Sequence, residues 1–382
     1  MRFSSRALSL AESETLRLSN TVARLRGEGQ DIIGLLEGEP DLPVTEAVTR
    51  ATEAALRAGK TKYSSSGGLT ELKTAIARKL KADNGVNAAP EGILVTNGAK
   101  QAIFEVLQAL CDHGDEVLIP APCWVTFPEA VKLAGARPVL VPTDADHQPA
   151  LDALAAAVTS RTRAIILNTP NNPTGAVYPE SALRAVAALA EKHDLTIIAD
   201  EAYEGLVYEG RHVSVASLGE EAAKRTVTVQ TCSKSFAMTG FRVGYAAGPA
   251  ELIKNAARIH GHVTGNVCTF AQYGAIAALG LTEHRGPWRA AHEKRRDVAW
   301  ELASKLFDGV KPQGGLFIFA DASRHIGARF KDSAALAAHL LEKGNVAVVH
   351  GSAFGREGYL RLSFSAPVDV LREGFSRMTS VL

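Results

Sequence analysis

The run TVTVQTCS leads into a lysine at position 234, and an arginine follows eight residues later in TCSKSFAMTGFRVGY. Alone, a lysine at a strand end is a solvated charge. Here Thr231, Ser233 and Ser235 supply hydroxyls around it, Gly240 and Gly244 permit close backbone approach, and apolar neighbours on both sides would partly desolvate the amine. Desolvation lowers a lysine's pKa and leaves a neutral amine able to form an imine with a carbonyl cofactor. Arg242 adds a planar fork of donors suited to a phosphate.

A second chemical signal is LTIIADEAYE, where Asp200 ends a hydrophobic strand that would bury its carboxylate at high cost. A protonated pyridine nitrogen is one cation that could answer it, and holding that proton makes such a ring an electron sink. Tyr203, three residues on, could donate to a phenolic oxygen of the same ring. The competing reading is a carboxylate that caps the next helix. In ILNTPNNPTG a buried-type strand runs into a turn, and Asn172 would point from the strand's carboxyl end toward the crevice of Asp200. VTNGAKQAIFEVLQAL reads as strand, short turn and helix, with the backbone N–H groups of Gly98, Ala99 and Lys100 opening the helix as an anion site.

These groups need a frame, and alternating runs supply one. GILVT, EVLIP, RPVLVP, RAIILNTP, LTIIADEAY, TVTVQTCS and VGYAAG read as strands between about Gly92 and Gly261. Amphipathic stretches at Lys100–Cys111, Pro179–His193 and Glu251–His260 read as helices between them. The pattern predicts an α/β fold with a mostly parallel central sheet covered by helices, whose ligands sit beyond the strands' carboxyl ends. After about Arg285 the pattern changes to a long charged helix (Trp288–Phe307), GGLFIFAD, another helix, NVAVVHG and YLRLSFS. This predicts a smaller α+β domain, joined by a helical Thr15–Leu36 segment. Two domains are expected because 382 residues exceed the size at which one core usually stops growing: a large cofactor-binding domain over 41–284 and a small domain over 285–382, with residues 1–40 added to the latter.

Composition narrows the function class. A net charge of +1 leaves no large field of either sign, so no nucleic-acid or acidic-membrane surface is expected. Cys111, Cys123, Cys232 and Cys268 form no C-x-x-C pair, which points to a reducing cytoplasm and no disulfide framework. No metal site, secretory signal or membrane span is expected.

Taken together, the motifs resemble a class I aminotransferase of pyridoxal-phosphate fold type I, close to the bacterial aspartate aminotransferase branch. They are GEPD from Gly38, YSSSGGLTELKTAIA from Tyr63, TNGAKQAIF, PAPCWVTFPE, NTPNNPTG, DEAY, SKSFAMTGFRVGY and YLRLSFS, and they span nearly the whole chain. The resemblance implies pyridoxal 5'-phosphate as cofactor, with Lys234 as the Schiff-base lysine that also shuttles the proton. Asp200 would pair with the pyridine nitrogen, Tyr203 and Asn172 would bond the phenolic oxygen, and Trp124 would stack on the ring. Gly98, Ala99, Lys100, Thr231 and Arg242 would hold the phosphate, with Tyr63 reaching it from the second subunit of a homodimer. Thr231 departs from the serine or glycine usual at that place but keeps a hydroxyl. Arg361 would clamp the substrate α-carboxylate, assisted by Gly38, Trp124 and Asn172, while Lys100 would meet a distal carboxylate. The implied reaction is ping-pong transamination of aspartate- or glutamate-type substrates with 2-oxoglutarate. The alternatives are an aromatic or neutral amino-acid aminotransferase, or a C–S β-lyase or cyclising synthase on the same fold. A cofactor-sensing transcription regulator is disfavoured, since no DNA-binding domain fits before Gly38.

Overall fold

Each of the seven apolar runs of the central region forms a strand of one sheet. In the computed structural model, which describes residues 1–281, 285–327 and 329–382, the strands are, in chain order, β1 (Ile33–Gly34), β2 (Ile93–Thr96), β3 (Glu116–Ala121), β4 (Arg137–Pro142), β5 (Thr162–Asn168), β6 (Thr196–Asp200), β7 (Thr226–Thr231), β8 (Gly244–Ala247), β9 (Asp308–Gly309), β10 (Phe317–Asp321), β11 (Val346–Ala347), β12 (Val349–His350) and β13 (Tyr359–Ser363). The large sheet has the order β2-β8-β7-β6-β5-β3-β4. Its neighbours are parallel except where β8 pairs with β2 and β7.

Parallel strands covered on both faces read as continuous apolar runs, and alternate residues point to opposite faces. Ile166, Ile198 and Val229 join Ala102, Ile103, Val106, Ile253 and Ala256 in one core, so helices Ala99–Leu110 and Ala250–Val263 cover one face. Ile165, Leu167, Ile197 and Ala199 pack with Leu183 and Val186 of helix Glu180–Lys192 on the other. Burying one such aliphatic side chain is worth roughly 1.5–3 kcal/mol, so these interleaved layers hold the strand ends rigidly.

The C-terminal part forms an antiparallel sheet, β12-β13-β10-β9, in which Arg361 lies opposite Phe319 on one side and Val349 on the other. Leu316, Phe317, Leu360 and Leu362 pack there with Ala299 and Ala303 of the long helix Arg285–Leu306, with Phe307 just after it, and with Leu371 and Phe375 of helix Val368–Val381. β1 pairs in parallel with β11, which ties the N-terminal segment to this part of the chain.

One expectation needs correction. The stretch Thr15–Leu36 is not one helix: the helix spans Glu14–Gly27, and Ile33–Gly34 is a strand. The chain breaks at RGEGQ, where Gly29 takes φ +87°, a left-handed conformation that glycine adopts without strain. The resulting turn lets Ile33 and Leu35 reach the core beneath β10 and β13. The expected domain boundary at 284 lies outside the described residues.

Candidate active site

The carboxyl ends of β5, β6 and β7 converge on a cleft of about 250 Å³. Lys234, Asp200, Tyr203, Asn172, Trp124, Thr231 and Arg242 all border it, together with Gly38, Ala99, Lys100 and Arg361.

Lys234 lies in the short turn of helix after β7, and its ammonium donates to the Gly38 carbonyl at 2.9 Å. Burial pushes its pKa down to about 8; the charge of Glu39 acts upward, while those of Arg242 and Arg361 act with burial. Asp200 is buried at the end of β6, and desolvation raises its carboxyl to about 7. Its Oδ1 accepts from the Ala202 N–H at 3.1 Å, but the residues after it form a turn and no helix, so the capping reading of the sequence is not met and the bond only braces that turn. That bond and the charge of Lys234 lower the value, while Glu201 raises it. One neutral donor and a distant ammonium do not compensate a buried carboxylate, so Asp200 is poised for a cationic group in the cleft.

The anion cradle lies beside it. Gly98 takes φ +81° at the start of helix Ala99–Leu110, and a Cβ there would sit 2.6 Å from the Arg242 guanidinium. The backbone conformation favours glycine here, and a side chain would push the Arg242 guanidinium aside. Arg242 donates to the Thr239 carbonyl at 2.8 Å and to that of Asn97 at 3.2 Å. The Thr231 hydroxyl accepts from the Ser233 N–H at 3.1 Å and lies 2.8 Å from the Ser233 hydroxyl. A helix N-terminus, two hydroxyls and a guanidinium form a set of donors matched to a phosphate.

Arg361 is 2 % exposed. Its guanidinium is held against Phe317 and Phe354, 4.1 and 4.8 Å from their ring centres. It donates to Asn172 Oδ1 at 3.0 Å and to the Leu36 carbonyl, while its Nε has no partner. Among the described residues no carboxylate makes an ion pair with it, and burial lowers its pKa to about 10. A desolvated guanidinium without an anion calls for one. Tyr203 is buried beside it and hydrogen-bonded to Asn172, and burial pushes its phenol upward. A Cβ on Gly38 would meet the Phe317 ring at 2.5 Å, so its small size keeps this corner open.

Lys100 projects its ammonium over the Trp124 ring, 5.2 Å from its centre. Desolvation and then the charge of Arg242 lower its pKa. Lys100 and Arg242 also border a second cavity of about 780 Å³, walled by Phe104, Val125, Leu133 and Phe354. Tyr63 is the one expected residue away from the cleft: it is 97 % exposed and borders a separate surface depression with Asn266 and Thr269.

Three contributors escaped sequence reasoning as site residues. Asn168 accepts from the Asn172 N–H at 2.8 Å and donates to the Asp200 carbonyl at 3.0 Å, bracing two site residues at once. Its position as the last residue of a buried strand was the available signal. Ser233, noted only as part of the lysine's surroundings, lines the phosphate cradle, and Thr15 reaches the cleft from the N-terminal helix. Nothing local to Thr15 announces that reach.

Comparison with known proteins agrees with this geometry. Residues 30–376 match the family described as aminotransferase class I and II. A probable aspartate/prephenate aminotransferase of Aquifex aeolicus is 43 % identical, covering 99 % of this chain and 98 % of its own. An aspartate aminotransferase of Bacillus subtilis is 40 % identical over 99 % and 98 %. The solved aspartate aminotransferase of Thermus thermophilus with maleate superposes with a TM-score of 0.96 at 39 % identity, covering both chains fully. The chain is a member of the class I and II aminotransferase family, and its cleft belongs to an amino-group transferase.

Proposed function

We propose that the protein is a pyridoxal-phosphate-dependent aspartate aminotransferase, passing the amino group of aspartate or glutamate to a 2-oxo acid such as 2-oxoglutarate. The observation that carries this reading is the meeting, around one cleft, of a lysine with lowered pKa, a buried carboxylate lacking a cation and a buried arginine lacking an anion. The residues fit the cofactor: Gly98, Ala99, Lys100, Thr231 and Arg242 would hold its phosphate, Trp124 its ring face, and Tyr203 and Asn172 its phenolic oxygen. When bound, pyridoxal phosphate supplies an aldehyde that takes up amines and a ring that accepts the electron pair released at the substrate's Cα.

Each residue's part follows from its surroundings. Lys234 Nζ, its pKa lowered to about 8 by burial, would hold the cofactor through its aldehyde and, as a neutral amine, would take the proton from substrate Cα. The Asp200 carboxylate would keep the cofactor's ring nitrogen protonated. Arg361 binds the α-carboxylate with Asn172 beside it, which fixes the Cα–H bond relative to Lys234. The Lys100 ammonium over the Trp124 ring would meet the distal carboxylate of the substrate; the Thermus relative was solved with maleate, itself a dicarboxylate. Tyr63, exposed on a single chain, would complete the phosphate site of a partner in a homodimer. We further read residues 41–284 as a cofactor domain and 285–382 with 1–40 as a smaller one. The four free cysteines suit a reducing cytoplasm, and among the described residues no helix is long and apolar enough to cross a membrane.

A second reading concerns the acceptor. The cavity of about 780 Å³ that shares Lys100 and Arg242 with the cleft exceeds what aspartate needs. Relatives are named for prephenate as well as aspartate, and a cavity of this size would take such a ring-bearing oxo acid. The test is a panel of amino donors with 2-oxoglutarate, pyruvate and prephenate as acceptors. Dicarboxylic donors should lead, and ammonia release without an acceptor would turn the assignment to a lyase.

A further inference from the structure

Behind the DEAY turn, on the face of the sheet opposite the cleft, lies a buried ionic network that the reaction described above does not use. Glu201 directly follows Asp200 and continues the ladder through its N–H to the Val229 carbonyl, so its side chain points away from the cleft. It is wholly buried. Its Oε2 accepts from Ser214 at 2.7 Å and Gln230 at 3.0 Å, and lies 3.2 Å from His212 Nε2. Glu204, one turn on, pairs with Lys79 and accepts from Asn84 at 2.6 Å and Gln230 at 2.8 Å. Two carboxylates and one ammonium leave this network one negative charge in excess unless His212 is protonated. His212 borders a polar surface depression of about 290 Å³ on the side away from the cleft, its side chain 10 % exposed and its Nδ1 without a partner.

We propose that His212, through Glu201, sets the charge beneath Asp200 and is a positioning residue for the proton that Asp200 holds on the cofactor's ring nitrogen. The inference rests on the pyridoxal-phosphate reading. Glu201 disfavours the ionised form of its neighbour Asp200, whereas Asp200 must stay ionised to keep a pyridinium. A protonated His212 cancels that effect from behind. Burial lowers the His212 pKa, but the charge and hydrogen bond of Glu201, with Glu204 adding, outweigh both burial and the opposing charge of Lys79, so the imidazole stays protonated above its ordinary range. The other charged groups that face it, Asp83, Arg184 and Arg211 with Glu180, lie at the rim, where water and salt weaken them.

The experiment is a pH titration of the visible band of the lysine-bound cofactor in the holoenzyme. His212→Gln keeps a donor for Glu201 but removes the charge. The extra negative charge should raise the titration midpoint by about half a pH unit or more, the scale of one charge acting through a protein interior. Adding Glu201→Gln removes one negative charge from the same network, and the double variant should return to the wild-type midpoint. A structural role alone would leave the double variant at least as displaced as the single one, and that result, or a single variant that titrates like wild type, overturns the proposal. Should His212→Gln not fold, the wild-type His212 imidazole followed by NMR decides: a neutral ring at pH 7 overturns it equally. Failure of the wild type to form any visible band would strike the cofactor reading instead.

Discussion

Asp200 should make the cofactor-free protein less stable than it could be. Desolvation lifts its carboxyl from 3.8 to about 7, whereas the unfolded chain ionises at the ordinary value. Between these values the folded protein binds more protons than the unfolded chain, so Asp200's contribution to stability falls as pH rises from about 4 to about 7. At about 1.4 kcal/mol per unit, three units amount to about 4 kcal/mol given up above pH 7. Asp200→Asn removes the charge and keeps an oxygen for the Ala202 N–H, 3.1 Å away. In cofactor-free samples the variant should therefore exceed wild type by about 4 kcal/mol at pH 8, by less than about 2 kcal/mol at pH 5 and by almost nothing below pH 4. Urea unfolding of both proteins at these pH values measures the difference, comparing midpoints because a chain of this size need not unfold in one step. A gain independent of pH, or none at pH 8, would refute the reasoning. With cofactor bound, the same substitution should slow α-proton loss by orders of magnitude, the trade of stability for activity common at catalytic sites.

Lys234→Ala should fold normally and lose all but a few per cent of turnover, checked by circular dichroism beside a transaminase assay. Gly98→Ala forces a left-handed alanine and displaces Arg242, so cofactor affinity measured by equilibrium titration should fall at least about tenfold, consistent with strain of about 1–2 kcal/mol plus a lost phosphate contact. Lys100→Ser should raise KM for aspartate and glutamate about tenfold or more, the scale of one charge-assisted contact, while leaving alanine and phenylalanine nearly unchanged; equal effects on both classes would remove the dicarboxylate assignment. Mixing inactive Lys234→Ala with a Tyr63→Ala variant of reduced activity should restore turnover if sites are shared between chains, and additive activities would show that they are not.

The elements of the cleft were readable because their signals are local. β6 and β7 are apolar runs ending in a polar residue, and the motifs that carry Lys234, Asp200 and Asn172 are each contiguous. What stayed hidden depends on partners distant in the chain. The aromatic slot for Arg361 is built from Phe317 and Phe354, and its backbone acceptor is Leu36, 325 positions away. The break at Gly29 ended a helix that hydropathy alone would have carried through to Leu36, because Ile33 and Leu35 are apolar for a strand's reason rather than a helix's. The network of Lys79, Glu201, Glu204 and His212 was equally out of reach: separately these are ordinary polar residues, and only tertiary packing brings them together, with Lys79 and Glu201 buried and Glu204 and His212 largely covered.

The reversal of β8 has a consequence for how such a site can be made. Because β8 runs back alongside β7, with Gly244 opposite Thr231, the connection from Cys232 to Val243 begins and ends at the same rim of the sheet. A parallel β8 would have needed a crossover to the far rim, carrying Arg242, which lies just before the strand, away from Lys234. With the strand reversed, a single excursion of chain delivers both the reactive amine and the anion's guanidinium, and their separation is set by that excursion rather than by the docking of distant helices. The two groups are thus linked mechanically: a change of loop length there would shift both together, while the rest of the sheet could remain as it is.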